Sequence, residues 1–321
     1  MPRTSRYGRG RGSQFLALAV LVLVAAGIGW WLLVPRSRHA APRHIAAAIP
    51  SIAPTPTANV VPSPSPSEIA SLTPAPPPTA QVTVNPPLPR TLPSARAGAP
   101  KLALIVDDCG QWIDTERGFV ALDVPLTLSV LPDVAYGSVI AREAAGAGKG
   151  VMLHLPMETL SGLNPGPGKV TTEMTDAQIV SQVEDDLSQV PLASGVNNHE
   201  GSRASADPRV MRDVIDVLAK RGNLFFIDSR TNAASVGETT AEAAGVPTAA
   251  RDVFLDNRAT VAYTEDQLRA AAVIAQRSGS AIAIGHPRPT TLEAVRAMIP
   301  QLQAAGIEFV LARDLVTSTP R

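Results

Sequence analysis

Few residues in this chain can do chemistry, and their spacing is uneven. Beyond residue 100 there are three histidines, His154, His199 and His286. Two adjacent acids, Asp107 and Asp108, close a short apolar run, and Glu158, Asp228 and Asp256 follow similar runs. Neighbouring carboxylates resist ionising together unless a cation lies close. A divalent metal would be such a cation, and imidazole with carboxylate is a donor set for Zn2+ or another first-row ion. The segment Asn197-Asn198-His199-Glu200-Gly201-Ser202 is too polar for a core; it can set His199 on a metal while Asn198 orients a substrate. Plainer readings stand beside these. A histidine after a strand is often a hydrogen-bonded structural residue. Asp228 can pair with an arginine, Asp256-Asn257 can form a turn, and Glu158 can brace the loop after Pro156. Cys109 is the single cysteine, so no intramolecular disulfide can form. A thiolate needs electropositive surroundings, so Cys109 beside two carboxylates reads as a packed side chain.

An alternation of short strands and amphipathic helices must position these groups. Apolar runs at 102–106, 126–131, 151–155, 194–196, 224–227, 252–255, 281–284 and 308–311 read as buried strands. Helical stretches lie between them at roughly 134–147, 175–189, 207–220, 264–278 and 290–304, with weaker ones near 113–122 and 237–245. Asp207-Pro208 is a helix start, Thr264 with Gln267 fits a capping box, and Gly222 and Gly279 sit where C-cap glycines belong. Continuous apolar strands alternating with helices predict a parallel α/β sheet covered on both faces. Seven or eight such units in about 220 residues suit a barrel. The rival is an open doubly wound sheet, but the first strand ends in Asp107-Asp108 with no glycine-rich phosphate loop. In a parallel barrel all C-terminal strand ends share one rim, so the acids and imidazoles converge there.

Charge divides the chain. Residues 1–98 hold nine of the 28 basic residues and one of the 28 acids, leaving 19 basic and 27 acidic residues for the rest. The acidic remainder is a poor match to nucleic acid, which is excluded as a partner. Residues 15–34 are 20 consecutive uncharged residues with Trp30 and Trp31 near one end, the length and belt of a membrane-spanning helix. The arginines before it predict a cytoplasmic tail over 1–14, and the length favours an anchor over a cleaved signal, whose rival site is His39-Ala40-Ala41. This gives a single pass through the cytoplasmic membrane, with the C-terminal domain on the periplasmic or extracellular side. Residues 42–100 contain 16 of the 30 prolines, so 35–100 reads as a disordered linker. Residues 101–318 form the folded domain.

Six stretches of that domain carry a resemblance. They are Val106-Asp107-Asp108-Cys109-Gly110, Leu153-His154-Leu155-Pro156-Met157-Glu158, Asn197 to Ser202, Phe226-Ile227-Asp228-Ser229-Arg230, Arg251 to Asn257, and Ile284-Gly285-His286-Pro287. In this order they resemble the divergent polysaccharide deacetylases over essentially all of 101–318. The resemblance implies a distorted (β/α)7-8 barrel of deacetylase type. It also implies a metal-dependent hydrolase that removes acetyl groups from an envelope or extracellular polysaccharide. It casts Asp107 as the general base, Asp108, His154 and His199 as the metal ligands, with zinc the expected ion, and His286 as the group that protonates the leaving group. No His-x-x-x-His motif is present, so the two metal histidines come from separate strands. Glu158, Asn198, Asp228 and Arg230, on the same rim, are the expected substrate contacts. Two other functions fit the same residues. One is a non-catalytic module that binds glycan or protein. The other is a metal hydrolase of phosphate esters, for which Arg203, Arg230 and Arg288 are candidate anion contacts.

Overall fold

The computed structural model describes residues 98–317. The expected basic tail and anchor, and nearly all of the linker, lie outside these residues. Among the described residues no helix is long and apolar enough to cross a membrane.

Nine strands form a single sheet: β1 (Lys101–Cys109), β2 (Thr127–Val130), β3 (Gly150–Met157), β4 (Gly195–Glu200), β5 (Phe225–Asp228), β6 (Thr248–Ala250), β7 (Val253–Phe254), β8 (Ser280–Gly285) and β9 (Glu308–Val310). Their order is β6-β5-β4-β3-β2-β1-β8-β7, every ladder is parallel, and β9 pairs with the first residues of β1. The connecting helices are α1 (Ile113–Val120), α2 (Gly137–Gly146), α3 (Asp176–Gln189), α4 (Pro208–Arg221), α5 (Gly237–Ala244), α6 (Val261–Ser278) and α7 (Pro289–Ala304).

Two apolar clusters report the two faces of this sheet. Leu102, Leu104 and Val106 of β1 share a large cluster with helix residues such as Ile140, Ile179, Val214 and Leu268. Ala103 and Ile105 belong instead to a smaller one with Met152, Phe225, Ile227, Ile282 and Ile284, all from strands. Strand side chains alternate, so the first face meets the helices and the second lines the concave interior. Burial on both faces is why these strands read as unbroken apolar runs.

The expected closed ring of strands is not completed by hydrogen bonds. The run at 252–255, read above as one strand, belongs to a longer segment that changes partner. Its first part, β6, pairs with β5, and its last part, β7, pairs with β8. Between them Arg251 N donates to Asp228 O and Asp252 N donates to Ile282 O. The sheet is therefore a parallel half-barrel, and its two ladder ends are joined through Arg251-Asp252.

Helix boundaries follow the local chemistry. The Asp207 side chain accepts from Arg209 N and Val210 N ahead of Pro208, and Gly222 and Gly279 end α4 and α6 with positive φ of 71° and 94°. α6 starts earlier than the expected capping box. Thr260 is its N-cap, accepting from Tyr263 N at 3.3 Å, and Thr264 is buried within the helix.

Candidate metal centre

Strand parity decides which polar groups reach the concave rim. Asp107 continues the interior-facing series Ala103, Ile105; His154 continues Met152; His286 continues Ile282, Ile284. On β4 the interior positions are Asn197 and His199, and register pairs His154 with Asn197 and Asn197 with Ile227. Asp108 stands one residue out of phase and by alternation would face the helices. It does not, because the β1–β2 register shifts between Val106 and Cys109 and Asp108 has a φ of 57°. A bulge of this kind re-aims a side chain, and aspartate is among the few residues that tolerate the left-handed region.

Three ligand atoms meet there. Asp108 Oδ1 lies 2.9 Å from His199 Nδ1 and 3.2 Å from His154 Nε2. The two ring nitrogens are 3.1 Å apart, and all three atoms fall within 4.8 Å of one another. Despite these contacts the buried Asp108 Oδ1 makes no hydrogen bond. A buried carboxylate oxygen facing two imidazole nitrogens without a donor is an arrangement that a cation satisfies.

The second layer shows which nitrogen of His154 is bare. Its Nδ1 lies 2.9 Å from Asn197 Oδ1. The amide is oriented by its other contacts: Nδ2 donates to Asp107 Oδ1 at 2.9 Å and to Ser229 Oγ at 3.2 Å, while Ser129 Oγ donates to Oδ1 at 2.5 Å. An amide oxygen only accepts, so His154 Nδ1 carries the proton and Nε2 turns a lone pair to the cluster, as a metal-ligating histidine requires. Asp108, His154 and His199 therefore fit a first-row divalent ion.

Two further groups border the cluster. Asp107 Oδ2 is 3.6 Å from His154 Nε2, and His286 Nε2 is 3.8 Å from Asp108 Oδ2. Burial pushes the Asp107 carboxyl above its usual range, outweighing the nearby imidazoles and the Asn197 hydrogen bond. Burial acts the same way on Asp108, but the two imidazoles beside it win and hold it well below that range. For His154 and His286 burial works downward. Asp107 and Asp108 overcome it at His154, and the hydrogen bond to Asp256 overcomes it at His286, so both rings are raised. Asp256 holds His286 closely: Oδ1 lies 2.8 Å from Nδ1, and Oδ2 accepts from His286 N and Thr291 Oγ1, each at 2.8 Å. Those bonds outweigh burial and keep the Asp256 carboxyl low. Asp256 thus pins the ring with Nδ1 protonated and Nε2 toward the centre.

The structure brings together Asp107, Asp108, His154, His199 and His286, and engages the remaining candidates elsewhere. Glu158 accepts from Thr172 N and Oγ1 at 2.8 and 2.7 Å and pairs with Arg203 at 3.3 Å. Asn198 accepts from Ser229 N at 2.9 Å and donates to Glu200 O at 3.0 Å. Asp228 is buried and faces α5, accepting from Arg230 N, Ser235 Oγ and Glu238 N. Arg230 pairs with Glu238 at 2.5 Å, and Arg288 donates to Asp256 O at 2.6 Å. The three arginines considered for phosphate chemistry are all engaged in these bonds. Cys109 is buried, with Sγ 3.2 Å from Val106 O, and burial drives its thiol far above the usual range, so it is a packed side chain.

Three contributors, Asn197, Ser129 and Arg251, were not picked out from the sequence, and Asp256 was singled out without its role. Asn197 and Ser129 are fully buried on the interior face, and strand parity would have found Asn197 two residues before His199. Asp256 reads as a turn until His286 is seen against it. Arg251 donates from Nε to Ser229 O at 2.7 Å and lies 3.8 Å over the Phe254 ring, which stacks on His286 at a 15° interplanar angle. No periodicity signals that stack.

A parallel half-barrel with an Asp-His-His cluster at its C-terminal rim is the architecture of a carbohydrate-deacetylase-like protein. Residues 104–316 match the divergent polysaccharide deacetylases, and the chain belongs to that family. An uncharacterized protein of Haemophilus influenzae is 35% identical over 202 residues, covering 63% of this chain and 72% of that protein. The uncharacterized protein YibQ of Escherichia coli is 34% identical over 228 residues, covering 69% of this chain and 71% of its own. The crystal structure of an uncharacterized protein from Agrobacterium tumefaciens shares the fold, with a TM-score of 0.65 at 24% identity, over 70% of this chain and 92% of that one.

Proposed function

We propose that this protein is a metal-dependent hydrolase that removes acetyl groups from an envelope or extracellular polysaccharide. The observation that carries the reading is the convergence of Asp108 Oδ1, His154 Nε2 and His199 Nδ1, bordered by a buried carboxylate and a carboxylate-held imidazole. Asp108, His154 and His199 would hold the ion, and zinc suits two imidazoles and one carboxylate. When bound, it would polarise the acetyl carbonyl and make water a better nucleophile near neutral pH.

The chain's own residues do the rest. Asp107, buried and more basic than an exposed carboxylate, takes the proton from the attacking water. Asn197 fixes the Asp107 carboxylate and the His154 ring at once. His286, with its proton affinity raised by Asp256, gives a proton to the departing amine or alcohol at Nε2 as the C–N or C–O bond breaks. Acetate and the deacetylated sugar leave, and the proton taken by Asp107 balances the one His286 gave. We further propose that residues 15–34 anchor the chain in the cytoplasmic membrane, with the hydrolase carried outside on the 35–100 spacer.

The test is acetate release from acetylated glycans by the full chain, with and without a chelator. Release that a chelator abolishes, and that Asp107→Asn abolishes with the metal retained, supports the reading. Metal-loaded protein that binds glycan but frees no acetate would make it a binding module instead.

A further inference from the structure

The loops after β1 and β2 carry two exposed aromatics that the chemistry above does not use. Among the described residues five large apolar side chains stand exposed: Trp112, Tyr136, Leu160, Leu163 and Leu192. Four follow β1, β2 or β3 on the rim that bears the metal centre, whereas Leu192 lies in the loop leading into β4. Single exposed hydrophobics scattered over a surface are ordinary, but a gathering on the functional rim is not.

One turn fixes the backbone beneath both aromatics. Glu116 is fully buried, and its Oε1 accepts the backbone N–H of Gly110, Gln111 and Trp112 at 2.9, 3.0 and 2.8 Å. Tyr136 N donates to Gly110 O at 3.0 Å, so the second aromatic is tied to the same turn. Gly110 has a φ of 109°, and a Cβ there would meet Val134 Cγ2 at 2.4 Å, so any other residue would strain the turn. Yet Trp112 is 51% and Tyr136 44% exposed. An exposed ring on a fixed backbone loses little freedom when it meets a ligand, which suits a binding surface. The turn begins two residues after Asp108.

We propose that Trp112 and Tyr136 form a stacking platform for the sugar units that flank the reacting unit of a polysaccharide chain lying past the metal centre. The proposal rests on the deacetylase reading and adds to it a preference for a polymer over a single sugar. A pyranose shows a flat face of C–H groups to an aromatic ring and keeps its hydroxyls in water, as half-exposed rings allow. Gln111 and Asp114 flank Trp112 in sequence, Asp133 and Ser138 flank Tyr136, and all four are exposed. That polar and acidic setting suits a hydroxylated chain, and it suits neither an apolar protein face nor an anionic lipid surface.

The test separates binding from turnover. Affinity for single N-acetylglucosamine, its β-1,4-linked pentamer and acetylated xylan oligomers is measured by calorimetry with the full chain carrying Asp107→Asn. Adding Trp112→Ala or Tyr136→Ala is expected to weaken oligomer binding by roughly three- to tenfold each. Both changes together should weaken it further, leaving the single sugar and the thermal midpoint unaltered. Unchanged oligomer affinity in the double variant, or no oligomer binding to its parent, overturns the platform. Acetate release by the chain with native Asp107 is scored separately. No release together with Trp112-dependent binding sinks the hydrolase and keeps the platform; release whose KM for the pentamer ignores both rings does the reverse.

Discussion

His154 donates from Nδ1 to Oδ1 of Asn197 across 2.9 Å, and that one bond sets the tautomer that the proposed metal centre needs. The same amide donates to Asp107 at 2.9 Å. Asn197 therefore couples a proposed metal ligand to the proposed base, and it is held in turn by Ser129 and Ser229.

Replacing Asn197 tests that coupling. Asn197→Ala frees the His154 ring to take the wrong tautomer and leaves the Asp107 carboxylate without its donor. Metal affinity should fall by about 10- to 100-fold, and activity by more than metal loss explains, because the base is also released. Folding should lose about 1–3 kcal/mol for the buried groups left unpaired. Competition with a chelator of known affinity measures the first effect, and an unchanged affinity contradicts it.

The ligand set makes a sharper comparison. His154→Ala, His199→Ala and Asp108→Ala each remove one atom of the cluster and should leave the purified full chain nearly metal-free. Asp107→Asn and His286→Ala border the cluster without joining it and should keep the metal near wild-type content. Elemental analysis of the five variants decides this. Retained metal in His199→Ala would show that the ion does not use that ring.

Much of this arrangement was legible in the sequence, because one physical rule generates it. Apolar runs alternating with helices imply parallel strands, and parallel strands put their C-terminal ends on one rim. Asp107, Asp108, His154, His199 and His286 could be gathered by that rule alone. It failed where parity mattered. Asn198 and Asp228 stand at strand ends too, but both face away from the interior, and their side chains brace Ser229 and α5. Asp108 breaks parity in the other direction, through a bulge that an Asp-Asp pair does not announce. The run at 252–255 was read as a plain strand because hydrophobicity carries no record of which neighbour a residue bonds. Thr264 gave a false helix start because Thr260, a better-placed hydroxyl, lies one turn earlier.

Asp256→Asn probes the proposed acid. The carboxylate raises the proton affinity of His286 against the downward effect of burial. With an amide in its place the ring should lose its proton at lower pH. If His286 must be protonated to release product, the alkaline limb of the rate profile should move to lower pH, and turnover near neutrality should fall roughly ten- to a hundredfold. Metal content should not change, since Asp256 touches no ligand of the cluster. A profile whose alkaline limb stays in place would remove His286 from the acid role.

Asp186 offers a prediction about stability, away from the chemistry. It lies buried on α3 with Oδ1 accepting from Gln182 Nε2 at 2.9 Å and Oδ2 without a partner. Gly168 presses close, since a Cβ there would stand 2.4 Å from Asp186 Oδ1. Burial, with added repulsion from Asp133 and Asp185, pushes the carboxyl up from 3.8 to about 7. The folded chain then keeps a proton that the unfolded chain gives up, so this group makes stability fall as pH rises from about 4 to about 7. The contribution is fully present below the unfolded value and gone above the folded one. Asp186→Asn preserves the shape and removes the titration. Unfolding of the full chain should show the variant more stable than wild type above pH 7, by roughly 2–4 kcal/mol, with the difference shrinking toward pH 4. A gap that does not vary with pH would mean that Asp186 is no more acid-sensitive folded than unfolded.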